Sequence, residues 1–412
     1  MPQPTPEPAR ERRELLIALG ASQELPRPAA CRLAARLDAW VRSGRRRGPA
    51  TAGALGVPTA VLAAAGELRV RAGEIARRES ARARELGARI VTLEDAAFPP
   101  ALRDLELPPP CLWVRGVLPG AAGRTVAIVG SRRADPYGRE VAELFGRELA
   151  EAGLAVVSGF ARGIDAAAHR GALAAQRPSE STAERVLEEP AQRQPESTAE
   201  RPADEPPEPS DGSCLTAAVL GSGLGVDYPR EHRRLGERIA AAGSLVSEFP
   251  CGLEPRAWHF PVRNRLIAAL ACAVLVVRAA PRSGSLITAR FALDLGREVL
   301  AVPGRIFEER SAGTNALIAD GAHPALSPRD VLEALGAAPP MAGAAAARAA
   351  EPLPPGLRGR ALAAMIPGDA VAPEALAAGL GEPVDRVLGV LLELELEGRI
   401  RREPGPAYVR RA

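Results

Sequence analysis

The sequence predicts an α/β protein. A parallel sheet covered by helices is preceded by an N-terminal helical domain and followed by a small domain of three helices and two short strands. Three observations carry this expectation. Short β-branched apolar runs alternate with helical patterns between Thr125 and Val302, as parallel strands with crossover helices require. An Ala- and Leu-rich helical pattern fills Glu11 to Arg84, broken at Pro26, Gly48 and Pro58. After an Ala/Pro linker at 337–355, three helical segments lead into strand-like runs around Glu403-Pro404-Gly405.

The elements follow in order. Residues 1–10 are Pro-rich and expected to be disordered, within a helical domain assigned to 1–85. Arg42, Arg45, Arg46 and Arg47 form a basic knot, read as a solvated loop in preference to a DNA contact. Ile90 to Leu93 reads as a strand, and a Pro-rich connector runs through CLWVRG to the first sheet strand, Thr125–Val129. A helix carrying Val141, Leu144, Phe145 and Leu149 follows, then a strand at 155–157 and a helix at 163–174.

The composition then shifts: ESTAER occurs at 180–185 and again at 196–201, in a Pro-, Glu- and Ser-rich stretch. It has too few large apolar residues to bury, so 176–214 reads as a disordered acidic insertion, a surface expansion in preference to a docking segment. Strands are expected again at 216–220, 244–246, 273–277 and 298–302, which closes a core assigned to 86–336. The C-terminal domain is assigned to 356–412, with Leu388, Leu391, Leu392 and Leu396 expected in its core.

Composition excludes several chemistries. All 53 basic residues are Arg, so a P-loop lysine, a lysine Schiff base and a pyridoxal-phosphate linkage are ruled out. The five cysteines show no CxxC spacing, which argues against zinc and disulfide frameworks. No apolar run approaches membrane-spanning length and no signal peptide opens the chain, so a cytoplasmic protein without membrane insertion is expected. His169 and His259 have no evident nucleophile beside them and read as core histidines. Asp165 reads as a helix start or an anchor for Arg162.

The candidate site lies in the loops after the strands. Gly130, Ser131 and Arg132 follow the first, and Ser158, Gly159, Arg162 and Gly163 follow the second. Glycine admits close backbone approach to a phosphate, Ser donates a hydrogen bond, and Arg offers a charged fork. Further along, Arg263, Asn264 and Arg265 stand at the start of a helix, and Arg282 precedes Ser283-Gly284-Ser285 at another helix N-terminus. Several such loops on one sheet edge suit a chain of phosphates. Neither Gly130–Gly138 nor GSGLG at 221–225 is a GxGxxG with a ribose-binding acid behind it, so no dinucleotide cofactor is expected.

The ordered motifs IVGSRRADPYG, SGFARGIDAAAHRGAL, YPREHRRL, SEFPCG, FPVRNRLIAAL, SGSLITA, AVPGR and GTNALIADGA closely resemble the DNA-processing protein A (DprA/Smf) family, over about 90–336 apart from the insertion. The resemblance implies an extended Rossmann-like fold without nucleotide turnover. It also implies a homodimer that binds single-stranded DNA and loads RecA recombinase during natural transformation. It maps the family's basic pocket onto Gly130, Ser131, Arg132, Ser158, Gly159, Arg162, Arg265 and the 283–285 turn. Arg278 stands where the family usually has Glu, so the pocket is either more basic or has a rewired salt bridge. His232 replaces a common Asn, and the insertion has no general counterpart. The C-terminal helices and strands resemble the winged-helix domain of longer members, with DNA and protein both open as its target. Aromatic content of 3% leads to the expectation that Arg and backbone amides carry most affinity. The alternative is a nucleotide-processing enzyme of the phosphoribohydrolase type, against which PRSGSLITA, lacking that family's catalytic Glu, speaks.

Overall fold

A computed structural model describes residues 7–43, 48–119, 125–175, 214–336, 354, 356–366, 369–403, 405 and 407–410. Arg45–Arg47, the insertion up to residue 213 and all of the linker but Pro354 lie outside the described residues.

Among the described residues, six helices open the chain, from α1 (Glu7–Ala21) to α6 (Ala72–Glu85); α1 takes in residues 7–10, expected to be disordered, and 1–6 lie outside the described residues. Their Leu15, Leu16, Leu19, Leu33, Leu55 and Leu62 form one core with Trp40. Each fully buried aliphatic side chain of this kind contributes roughly 1.5–3 kcal/mol. The helices also pack on the sheet, where Ile17, Ala76 and Ala83 meet Ile90 and Trp113. A buried ion cluster ties the same joint: Glu248, fully buried, receives Arg27 and Arg265.

Among the described residues, the main sheet has nine strands in the order β1-β2-β6-β5-β4-β3-β7-β8-β9. They are β1 (Arg89–Thr92), β2 (Cys111–Gly116), β3 (Thr125–Val129), β4 (Ala155–Ser158), β5 (Thr216–Val219), β6 (Gly243–Ser247), β7 (Ala273–Val276), β8 (Glu298–Ala301) and β9 (His323–Pro324). From β6 to β9 the sheet is parallel, as expected, and it carries an antiparallel edge besides: β1 pairs antiparallel with β2, and β2 with β6. CLWVRG is therefore a strand, not a connector.

Both faces of the parallel region are apolar, as a doubly covered sheet requires. Along β3 the side chains alternate. Val126 and Ile128 join Phe145 and Leu149 of α8 (Pro136–Glu151) and Ile164 of α9 (Ile164–Leu173). Ala127 and Val129 join Leu266 and Ile267, which lie on a later helix against the opposite face.

The chain lays down β3, β4, β5 and β6 in one direction and then returns to place β7 on the other side of β3. The β3–β7 boundary is thus the topological switch point, where open α/β sheets leave a crevice at the carboxyl ends of their strands.

Among the described residues, the C-terminal unit packs three helices (Leu357–Ala364, Pro373–Leu380, Val384–Leu396) against three strands, β10 (Ala370–Val371), β11 (Ile400–Glu403) and β12 (Ala407–Arg410), in the order β10-β12-β11. Ion pairs Arg139–Glu403 (2.9 Å) and Arg305–Asp369 (2.7 Å) connect it to the α/β core. Its leucine row departs from the expectation. Leu391 is buried, but Leu388, Leu392 and Leu396 are exposed, and Val387 and Leu394 fill the core instead. No single described helix is long and apolar enough to cross a membrane.

Candidate nucleic-acid interface

A cleft of about 950 Å³ opens at the switch point, over the ends of β3 and β7. Gly130, Ser131 and Arg132 form one wall and Arg282, Ser283, Gly284 and Ser285 the other. Helix α11 (His259–Leu270) supplies Phe260, Arg263 and Asn264 between them. The lining carries Arg132, Arg256, Arg263 and Arg282 against Asp165 and Glu309. Its net charge is positive.

Backbone geometry fixes the first wall. Ser131 N–H donates to Arg278 O at 2.7 Å and Ile164 N–H to Ser131 O at 3.2 Å, so the β3 and β4 loops hold each other. Glycine is required where they touch. A Cβ on Gly130 would sit 2.7 Å from Ile164 Cγ1 and 3.0 Å from Arg278 O. Gly163 has φ +76° and its missing Cβ points at Ser131 O and at Arg132 C, 2.9 Å away. Gly163→Ala is therefore expected to lower stability by roughly 1–3 kcal/mol. It should also weaken oligonucleotide binding, because the Arg132 loop is displaced. A thermal melt beside a binding titration checks both, and unchanged values in each would refute the steric argument.

Arg132 is exposed and its guanidinium lies over Phe260, 4.6 Å from the ring centroid. Tyr228 flanks the same ring at 5.7 Å. A cation over an aromatic face is held in place without losing its charge. Sequence alone did not mark this aromatic pair, because Tyr228 and Phe260 lie 32 residues apart and meet only on the cleft wall. Arg256 was missed as well. It has neither a glycine nor a strand end beside it, so no local signal marked it.

On the opposite wall, α12 (Ser285–Asp294) begins at the turn the sequence marked. Ser283 and Ser285 hydroxyls contact each other at 2.8 Å, and Asn264 Nδ2 donates to Gly284 O at 3.2 Å. The helix N-terminus and two hydroxyls therefore face the cleft, an arrangement suited to an anion.

Arg263 has another role. It is buried, five residues into a helix that starts at His259, and donates to Gly159 O and Val219 O at the ends of β4 and β5. Burial pulls its pKa down to about 10, partly countered by Asp165, so it stays charged at neutral pH. Asp165 is pushed up by burial, against the pull of Arg263. Of the two expectations for Asp165 the helix start holds, since it lies in the first turn of α9, and the anchoring of Arg162 does not: Asp165 faces Arg263, and Arg162 pairs with Glu231. That exposed partner drops to a pKa of about 2 through its hydrogen bond with Arg162.

The remaining residues fall outside the main cleft. Gly159 and Arg162 line a small adjoining hollow that shares Arg132 and Phe260 with it. Ser158 is fully buried and donates to Ile128 O at 2.6 Å. Arg265 donates to Glu248 (2.6 Å) and to Leu107 O (2.9 Å). Arg278 rewires a salt bridge without adding free charge to the cleft: it is buried between Asp135 (2.7 Å) and Glu308 (2.9 Å) and lies 4.8 Å from the Tyr137 ring. His169 and His259 are both buried. Among the described residues, no group of His, Cys, Asp and Glu has metal-binding geometry.

A Rossmann-like core with a cationic, glycine-walled cleft at its switch point and a winged helix appended defines a class of two-part α/β proteins. The sequence family described as DNA recombination-mediator protein A matches residues 89–196 and 210–336, and the DprA winged helix domain matches 344–406. Protein Smf of Escherichia coli (strain K12) is 37% identical over 330 residues, covering 78% of this chain and 77% of that protein. DNA processing protein DprA of Bacillus subtilis (strain 168) is 32% identical over 253 residues, covering 61% and 73%. The X-ray structure of DNA processing protein A from Streptococcus pneumoniae superposes with a TM-score of 0.58 at 29% identity, covering 78% of this chain and 95% of that one. The chain belongs to the DprA/Smf family. It is thereby one of the DNA-processing recombination mediators.

Proposed function

We propose that this chain is a non-enzymatic, homodimeric mediator that binds single-stranded DNA and loads RecA recombinase onto it in natural transformation. The observation that carries the DNA part is Arg132 held over Phe260, 4.6 Å from its ring centroid, on the wall of a cationic cleft at the switch point. An unpaired strand offers both partners this wall fits: phosphates for Arg132, Arg256, Arg282 and the Ser283 and Ser285 hydroxyls, and a bare base face for the Phe260–Tyr228 pair. A duplex keeps its base faces stacked and has nothing to give the rings.

The test is a titration of labelled single- and double-stranded oligonucleotides at two salt concentrations. Tighter single-strand binding is expected, with affinity falling as log salt rises and little sequence preference. Equal affinity for both forms would sink the reading. RecA loading and dimerisation rest on the family's mediator role, and a strand-exchange assay with sedimentation of the free protein tests them.

Glu309 gives a second reading something to stand on, as an exposed carboxylate on the cleft wall. A phosphoribohydrolase-like enzyme would use such a group. Incubation with nucleoside monophosphates that released free base would favour that reading over the first.

A further inference from the structure

The third helix of the winged helix, α17 (Val384–Leu396 after α15 Leu357–Ala364 and α16 Pro373–Leu380), has two apolar faces. One is the domain core, where Val387, Leu391 and Leu394 are buried against Leu362, Leu376 and Tyr408. The other is a row of Val384, Leu388, Leu392 and Leu396, which are 38%, 41%, 55% and 81% exposed. Spacing of four on a helix turns the row by only about 40° per step, so these side chains form one stripe roughly 18 Å long. Isolated exposed leucines need no explanation, whereas a continuous row marks a contact surface.

Charge says what the contact is with. The helix and its end carry Asp385, Glu393, Glu395 and Glu397 against Arg386. Glu393 and Glu397 lean on Arg358, and Arg386 pairs with Glu382 at 2.9 Å. Among the described residues, Asp385 and Glu395 have no cationic partner.

In helix-turn-helix geometry this is the helix that would enter the major groove. Leucines cannot read base edges, and carboxylates beside them are repelled by about one phosphate charge per 1.7 Å of duplex. A second copy fits no better: antiparallel self-pairing brings Asp385 opposite Glu395 of its twin, like charge on like.

We propose that the outer face of α17 docks a protein partner presenting an apolar row bordered by Arg or Lys. Leucines seat the partner's apolar side chains, while Asp385 and Glu395 meet its cations and set orientation. Among the described residues the wing does not cover this face, since Leu388, Leu392 and Leu396 stay exposed with β11 and β12 in place. The proposal is independent of the DNA cleft.

The experiment uses the full chain and a fluorescent synthetic peptide of about 18 residues, long enough to populate a helix. The peptide carries a leucine row flanked by Lys and Arg. One twin has Glu in place of the cations and another keeps the cations but has Ser in place of the leucines. The basic leucine peptide is expected to bind about tenfold more tightly than either twin, and L392S/L396S to weaken it about tenfold. The unfolding midpoint and single-strand affinity of that variant should not change, since both leucines are exposed. Equal binding by the acidic twin, or by the Ser twin, would overturn the proposal. So would undiminished binding by L392S/L396S. Concentration-dependent self-association lost in the variant would assign the face to a second copy, and lost duplex binding would assign it to DNA.

Discussion

Arg132→Ala is expected to weaken binding of any single-stranded oligonucleotide by roughly ten- to a hundredfold, the worth of one charge-assisted contact of about 1.5–3 kcal/mol. The reason is geometric as well as electrostatic. Arg132 sits in a loop pinned by Ser131 N–H on Arg278 O, and its guanidinium is held 4.6 Å above Phe260, so little side-chain freedom is lost when a phosphate arrives. The log–log salt dependence should flatten by about 0.7, the share of one phosphate on a single strand. Arg133→Ala is the control. Arg133 is exposed and does not line the cleft, and its N–H is taken by Ser131 Oγ at 3.1 Å. Titrations of both variants at several salt concentrations decide the matter. Full affinity in Arg132→Ala with loss in Arg133→Ala would reverse the loop's orientation. Full affinity in both would move the DNA path off this edge.

Much of this site was readable because an anion-binding loop is written locally. Gly130-Ser131-Arg132 and Ser283-Gly284-Ser285 each follow a β-branched run, and a strand end followed by Gly and Ser needs no distant partner to be recognised. What escaped were properties that depend on partners far along the chain. Arg263 looks like any helical surface cation until α11 is laid across β4 and β5, when it reaches Gly159 O and Val219 O, 104 and 44 residues away in sequence. Asp165 near Arg162 suits a helix start or an anchor equally well from sequence, and the partner that Arg162 takes, Glu231, comes from 69 residues on. CLWVRG is preceded by nothing longer than the four-residue helix Pro100–Arg103, so no crossover pattern flags it; an antiparallel strand needs none. The leucines of α17 failed for another reason. A helix apolar on two faces does not say which is inside, and Val387 and Leu394 outcompeted Leu388 and Leu392 for the interior.

Acid should destabilise this protein through His169. The ring is fully buried, its Nδ1 lies 2.6 Å from Thr216 Oγ1, and that hydroxyl donates to Val156 O at 2.8 Å. Thr216 Oγ1 must therefore accept, which puts the imidazole proton on Nδ1 and leaves Nε2 buried without a partner. A second proton there would charge a group with no counter-ion, and burial accordingly pulls the pKa down to about 3, assisted by repulsion from His232, Arg263 and Arg170. In the unfolded chain the pKa returns to roughly 6.5, so between those values the unfolded state binds the extra proton. Stability from this group is thus complete above about pH 6.5 and falls as pH drops toward 3, by roughly 3 kcal/mol at pH 4. Asp165 and Glu79, whose pKa values burial raises, contribute with the opposite sign, so the bare pH profile of the wild type is not diagnostic. The difference from His169→Gln is diagnostic, because both carboxyl groups are present in each protein and cancel. Denaturant melts at pH 7 and pH 4 should show the wild type losing roughly 3 kcal/mol relative to the variant. Parallel losses in the two would mean that His169 already takes a proton in the folded state, and that Nε2 has found an acceptor.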